Sequence, residues 1–156
     1  MIAFKLFDSQ NYNELLAMMT GFYMSEALEQ ALDQKIIVKL LRDILSGNYN
    51  IRGYEIYDDG QLAGFGVITV YYASEVAGIN VQLEDLYIKS EFRGKGIGTA
   101  YFKMIKNSYG SAARFRLEVS LHNQKVMKLY ESLGFRQLGY TQMVLEPDRE
   151  ISKSSR

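Results

Sequence analysis

A chain of 156 residues, 47% apolar and 23% charged, is long enough to bury one core and too apolar to be disordered as its main state. Its 18 basic and 18 acidic residues cancel, so no global field favours nucleic acid or an anionic membrane, and any partner is chosen locally. The absence of cysteine rules out disulfides, thiolate nucleophiles and thiolate metal sites, and with His122 as the single histidine no metal site is expected. No window approaches the roughly 18 apolar residues of a membrane span, and Met1 to Phe7 lacks the pattern of a signal peptide, so a cytoplasmic location is expected.

Ile2, Phe4 and Leu6 alternate as in a short first strand, and Asp8 and Ser9 then offer an N-cap. Leu15, Leu16, Met18, Met19, Phe22 and Tyr23 recur at helical spacing. A second helix carries Leu32, Ile36, Ile37, Leu40, Leu41, Ile44 and Leu45 on one broad face, with Gly47 as its stop. Arg52 to Tyr57 and Gln61 to Tyr72 read as antiparallel strands joined through Asp58-Asp59-Gly60, whose Asp-Gly pair signals a hairpin. A loop with Ser74, Glu75 and Gly78 leads into a strand over Val81 to Lys89, followed by a glycine-spaced turn and a helix from near Thr99 to near Gly110. Arg114 to Val119 is a further strand, Asn123 to Leu133 a helix capped by Gly134, and Phe135 to Gly139 and Tyr140 to Leu145 two closing strands. Without repeats or a linker, residues 1–147 form one expected domain, with a polar tail over 148–156.

The richest segment is Leu83 to Gly98, Leu-Glu-Asp-Leu-Tyr-Ile-Lys-Ser-Glu-Phe-Arg-Gly-Lys-Gly-Ile-Gly. Gly94, Gly96 and Gly98 let backbone N–H groups approach a ligand, the following helix aims its positive end at the same place, and Arg93 adds forked donors. A phosphorylated cofactor suits that arrangement. The nucleoside triphosphate loop fails, because Lys95 sits between glycines instead of after the last one. A dinucleotide turn finds an acidic residue in Glu118 at about 20 positions, but its glycine spacing, its contact with the strand and its βαβ unit are missing.

Arg93-Gly94-Lys95-Gly96-Ile97-Gly98 matches the Arg/Gln-x-x-Gly-x-Gly/Ala signature of the GCN5-related N-acetyltransferases, and the strand before it matches as well. Asn123, Val126, Tyr130 and Leu133-Gly134-Phe135 resemble the same family's Asn-x-x-Ala-x-x-x-Tyr-x-x-x-Gly-Phe helix, with Val126 in place of the usual alanine. Leu83 to Ile88, with Phe22, Tyr23 and Glu26, is most similar to the diamine, polyamine and thialysine acetyltransferase branch. The resemblance implies an α/β fold whose mixed, mostly antiparallel central sheet is flanked by helices and contains two splayed parallel central strands. It implies a single acetyltransferase domain that uses acetyl-coenzyme A to acetylate a primary amine of a small molecule, a polyamine or lysine-like amine first. A homodimer is compatible with it. A non-catalytic acyl-coenzyme A binder, or an enzyme acting on an aminoglycoside or a protein amino group, is the alternative.

By the same resemblance Leu86, Tyr87, Ile88, Arg93, Gly94, Lys95, Gly96, Ile97, Gly98, Thr99, Asn123, Val126 and Tyr130 hold the cofactor. The Ile88 N–H faces the thioester oxygen, Tyr130 is the general acid, and Glu84 is the base through water or a ligand of the amine. Phe22, Tyr23, Glu26 and Glu84 are the expected acceptor contacts. Strand alternation puts Glu84 on one face with Leu86 and Ile88, and Asp85 on the other. Among the aromatic residues Phe22, Tyr23, Tyr54, Tyr71, Tyr72 and Tyr140, core packing is expected for most. Glu26, Glu75 and His122 read as solvated surface groups. Lys89, Lys95, Arg114 and Arg116 are available to phosphates, with a solvated strand edge preferred for the two arginines.

Overall fold

The computed structural model describes residues 1–25 and 28–148, so Glu26 and all but Asp148 of the polar tail lie outside the described residues. Two compact units divide the chain, Met1–Glu118 and Val119–Arg156. The first contains β1 (Ile2–Leu6), α1 (Tyr12–Tyr23), α2 (Gln34–Ser46), β2 (Ile51–Asp58), β3 (Gln61–Ala73), β4 (Gly78–Ile88), α3 (Ile97–Ser108) and β5 (Arg114–Leu117). The second contains α4 (Gln124–Ser132).

The five strands lie side by side in chain order, antiparallel from β1 to β4 and parallel between β4 and β5. The β2–β3 connection explains part of that order. Asp59 and Gly60 both take positive φ, 47° and 79°, the backbone that a tight hairpin turn requires and that an Asp-Gly pair tolerates. The α3 crossover then reverses the chain, so β5 re-enters parallel to β4.

Helices cover both faces of this sheet. On one face, Leu15 and Met19 of α1 and Ile37 and Leu41 of α2 are wholly buried with Phe65 and Val67 of β3. Each such side chain contributes about 1.5–3 kcal/mol of burial. The periodicity that marks α2 in the sequence is set between an Asp33 side chain accepting from the Lys35 N–H at 2.7 Å and a left-handed Gly47 at φ 69°. On the other face Tyr101 of α3 lies over Gly66, where an added Cβ would come within 2.3 Å of the ring. That glycine is there for the close approach of helix to strand.

A buried carboxyl on β2 holds the connection between the first strand and the first helix. Glu55, 1% exposed, accepts from the Asp8 N–H at 2.8 Å, Asn11 Nδ2 at 2.9 Å and the Tyr57 hydroxyl at 2.6 Å. The buried carboxyl is tolerated because three donors surround it. The cap expected at Asp8 therefore starts a 3-10 turn, Ser9–Asn11, that leads into α1.

In the second unit no strand follows α4 among the described residues, in contrast to the two closing strands expected over Phe135 to Leu145. Met143, Val144 and Leu145 are 94%, 83% and 90% exposed. Apolar composition favours a strand only where a paired edge and a buried face exist, and this segment has neither among the described residues.

Candidate active site

The catalytic strand expected from the sequence is β4, and its two halves differ. Asn80 to Leu83 pair in parallel with Arg114 to Leu117 of β5, and the pairing stops there. From Glu84 onward, β4 keeps only its antiparallel neighbour, β3. The register also slips at that point: Val67 faces Asp85 and Ile68 faces Leu83, which leaves Glu84 as the extra residue of a β-bulge.

The bulge corrects the expected alternation. Asp85 lies opposite Val67, and Thr69 lies two residues along on the same face of β3. The Thr69 hydroxyl donates to Glu84 Oε1 at 2.6 Å, so Glu84 and Asp85 share the face covered by α1 and α2. Leu86 faces α3 instead, its Cδ2 lying 3.5 Å from where a Cβ on Gly98 would stand. Glu84 is exposed, whereas the neighbouring carboxyl is half-buried. The Tyr23 hydroxyl donates to Asp85 Oδ2 at 2.5 Å. Burial pushes the Asp85 carboxyl up to about 6, with the Tyr23 hydrogen bond acting against the shift and the Glu84 charge adding to it. Burial, and then the Asp85 charge, push the Tyr23 phenol upward too.

Backbone direction distinguishes the two sides of β4. The Lys89 N–H donates to the Ala63 carbonyl of β3 at 2.8 Å, so alternation turns the backbone groups of Ile88 and Leu86 away from β3, toward the side that β5 has left. Arg93 Nε donates to the Ile88 carbonyl at 2.8 Å, anchoring the turn to the strand end. Its guanidinium stands 6.0 Å from the Tyr87 ring.

The turn itself has the geometry that its glycines suggest. Gly94 and Gly96 take φ 76° and 77°, and α3 opens at Ile97, slightly earlier than expected. Nothing lies within 4 Å of a Cβ built on either glycine, so both face open space. The first-turn N–H groups of a helix have no intrahelical partner and attract anions. Lys95 reaches back to Asp58 at 3.4 Å and Lys89 to Glu14 at 3.3 Å. These residues fit a pyrophosphate: open backbone donors, a helix N-terminus and two cations on the rim.

In the second unit, α4 is built by its ends. Asn123 Oδ1 accepts from the Val126 N–H at 3.3 Å. At the exit the Phe135 N–H donates to the Tyr130 carbonyl at 3.1 Å and the Gly134 N–H to Glu131 at 3.0 Å, with Gly134 at φ 98°. That is a Schellman motif, closed by a Tyr130–Phe135 ring contact at 5.5 Å. The Leu133-Gly134-Phe135 sequence is thus the helix stop. Tyr130 is half-buried, and burial raises its phenol above the ordinary value.

The family model described as "Acetyltransferase (GNAT) family" matches residues 12–135. The chain belongs to the GNAT acetyltransferase family. A thialysine N-epsilon-acetyltransferase from Sus scrofa is 38% identical over 79 residues, 49% of this chain and 46% of the relative. The chain thus spans about half the length of the relatives it matches. Among solved structures, a possible acetyltransferase from Clostridium difficile 630 superposes with a TM-score of 0.80 at 18% identity, covering 95% of this chain and 99% of the other. An acetyltransferase from Clostridium acetobutylicum, described with acetyl-CoA, superposes with a TM-score of 0.72 at 16% identity, covering 93% and 96%. The fold is therefore the mixed, helix-flanked sheet expected, with a parallel β4–β5 pair that ends at Leu83 and Leu117.

Within this GNAT chain the remaining candidates divide by burial. Tyr23 is 3% exposed and Phe22 half-buried, both packed with Phe65. Tyr54 is half-buried. Tyr71, Tyr72 and Tyr140 are exposed, so the core reading fails for half of that aromatic series. Arg114 is held by Glu75 at 2.9 Å, and His122 is exposed as expected. The sequence reading missed the Asp85–Tyr23 bond. Its one available signal was an acidic residue at a strand position that faces an apolar helix.

Proposed function

We propose that this protein transfers an acetyl group from acetyl-coenzyme A to a primary amine of a small molecule. The observation that carries this reading is one continuous stretch, Glu84 to Ile97, in which a strand edge released by β5 runs directly into an open glycine cradle at a helix N-terminus. Gly94, Gly96 and the first turn of α3 hold the pyrophosphate. The backbone groups of Leu86 and Ile88 pair with the pantetheine arm as a substitute strand. Bound there, the cofactor supplies an activated acetyl group on a thiol leaving group.

The chain's own groups then perform three tasks. The Ile88 N–H donates to the acyl oxygen as negative charge develops, a contribution of about 3 kcal/mol for a preorganised donor. Glu84, exposed and oriented by Thr69, accepts through water the proton that the attacking amine loses. On the family signature that α4 carries, Tyr130 is the residue that would return a proton to a thiol leaving group, and burial raises its phenol so that it is protonated at neutral pH. Asn123 and Val126 set the helix that carries it.

Two carboxyls on one strand face, Glu84 and Asp85, support a cationic acceptor. A polyamine or lysine-like amine is the first choice, in keeping with the thialysine relatives. Phe22 lies on the same side of the sheet and supplies an apolar wall for an alkyl chain. Thiol release measured with acetyl-coenzyme A against diamines, lysine-like amino acids, aminoglycosides and peptides tests the reading. Turnover is expected with the first two groups. Tight acetyl-coenzyme A binding without thiol release across the panel would instead identify a non-catalytic acyl-coenzyme A binder.

A further inference from the structure

Buried Tyr23 and half-buried Asp85 share a hydrogen bond that takes no part in the proton transfers above. Tyr23 is the last residue of α1, and its ring is packed against Phe22 at 5.0 Å and Phe65 at 6.3 Å. Its carbonyl accepts from the Leu32 N–H at 3.0 Å, which ties the same residue to the start of α2. Burying a carboxyl here is costly, and an apolar side chain would fill the position without that cost. The place is specific as well. Glu84, next in the chain, is the extra residue of the bulge, and neither β3 nor β5 holds it through a ladder pair. A bulge is where a strand slips most easily, and a slip of one residue exchanges the faces of the side chains beyond it.

We propose that Tyr23 and Asp85 are positioning residues: their hydrogen bond clamps β4 at the bulge, so that Asp85 stays opposite Val67 and Glu84 stays against Thr69 on the acceptor face. This rests on the acetyltransferase reading for its consequence, and on the bulge alone for its geometry. Without the clamp, Glu84 competes with Asp85 for the place opposite Val67. The base is then misaimed, while the Lys89–Ala63 and Arg93–Ile88 bonds keep the strand end beyond the bulge in place.

The experiment uses the full chain with Tyr23→Phe, Asp85→Leu and Asp85→Asn, the last of which keeps an oxygen acceptor for Tyr23. Amide hydrogen exchange, which needs no substrate, reads the clamp. Exchange at Asp85 and Tyr87, whose backbone groups face β3, is expected to speed up about tenfold or more in Tyr23→Phe and Asp85→Leu, with β1 and α2 unchanged and Asp85→Asn close to the parent. Turnover reads the consequence: kcat/KM for the amine falls about tenfold in Tyr23→Phe, acetyl-coenzyme A affinity stays within about twofold, and on a Glu84→Gln background the same change has almost no further effect. Unchanged exchange at the bulge, an equal increase throughout the sheet, or losses that add to those of Glu84→Gln would overturn the proposal. If exchange responds as expected while the parent acetylates no amine, the clamp stands and the amine reading falls.

Discussion

Asp85 gives the protein a pH signature. Its folded carboxyl is raised from 3.8 to about 6, chiefly by burial. As pH rises through about 4 to about 6, the unfolded chain releases a proton that the folded chain retains, so this group lowers stability across that window and is level above it. Asp85→Asn keeps the hydrogen bond and removes the titration. Relative to the parent it should therefore gain on the order of 2 kcal/mol between pH 4 and pH 7, measured by urea midpoints at both pH values. A difference between the two proteins that does not change with pH would show that Asp85 ionises normally. Tyr130→Phe makes the opposite kind of test. The ring contact with Phe135 and the Schellman stop need no hydroxyl, so the midpoint should hold while kcat falls about a hundredfold or more, read by thiol release. At this scale the sequence made Glu84 visible through its position before Leu86, Tyr87 and Ile88, but not the face on which it stands. Alternation is a local rule, and a bulge is decided by the neighbouring strand.

Elements whose ends are built locally were the most legible. Gly94 and Gly96 take positive φ, Asn123 caps α4, and Gly134-Phe135 closes it, each through contacts within a few residues. Strands that need a distant edge were the least legible, which is why the pattern from Phe135 to Leu145 suggested two strands where none forms among the described residues. The cradle glycines allow strain to be separated from function. Gly47 and Gly96 have nearly the same backbone, φ 69° and 77°, and each has open space where a Cβ would stand. Alanine at either position costs about 1–2 kcal/mol of left-handed strain. Only Gly96→Ala should also weaken acetyl-coenzyme A binding, about tenfold or more by calorimetry, because only Gly96 belongs to the proposed phosphate-binding turn. Equal affinity in the two variants would place the pyrophosphate elsewhere.

Across the whole chain, the Asp59-Gly60 hairpin and the α3 crossover put the sheet in chain order, and both could be read from turn residues and periodicity. The sequence did not reveal where β5 would end, and that determines the function proposed here. Because β5 pairs only as far as Leu83 and Leu117, the second half of β4 has one edge that no other strand of its unit pairs with. Backbone groups on such an edge are available to a ligand and exchange freely without one. Acetyl-coenzyme A at a hundred times its dissociation constant should stabilise the fold by about 2.7 kcal/mol. If it lies along that edge, the added protection against hydrogen exchange falls on Leu86, Ile88 and the first turn of α3, and leaves β1 and β2 as they were. Protection that rose evenly over all five strands would mean that the ligand stabilises the domain without pairing with β4, and the substitute-strand reading would have to be abandoned.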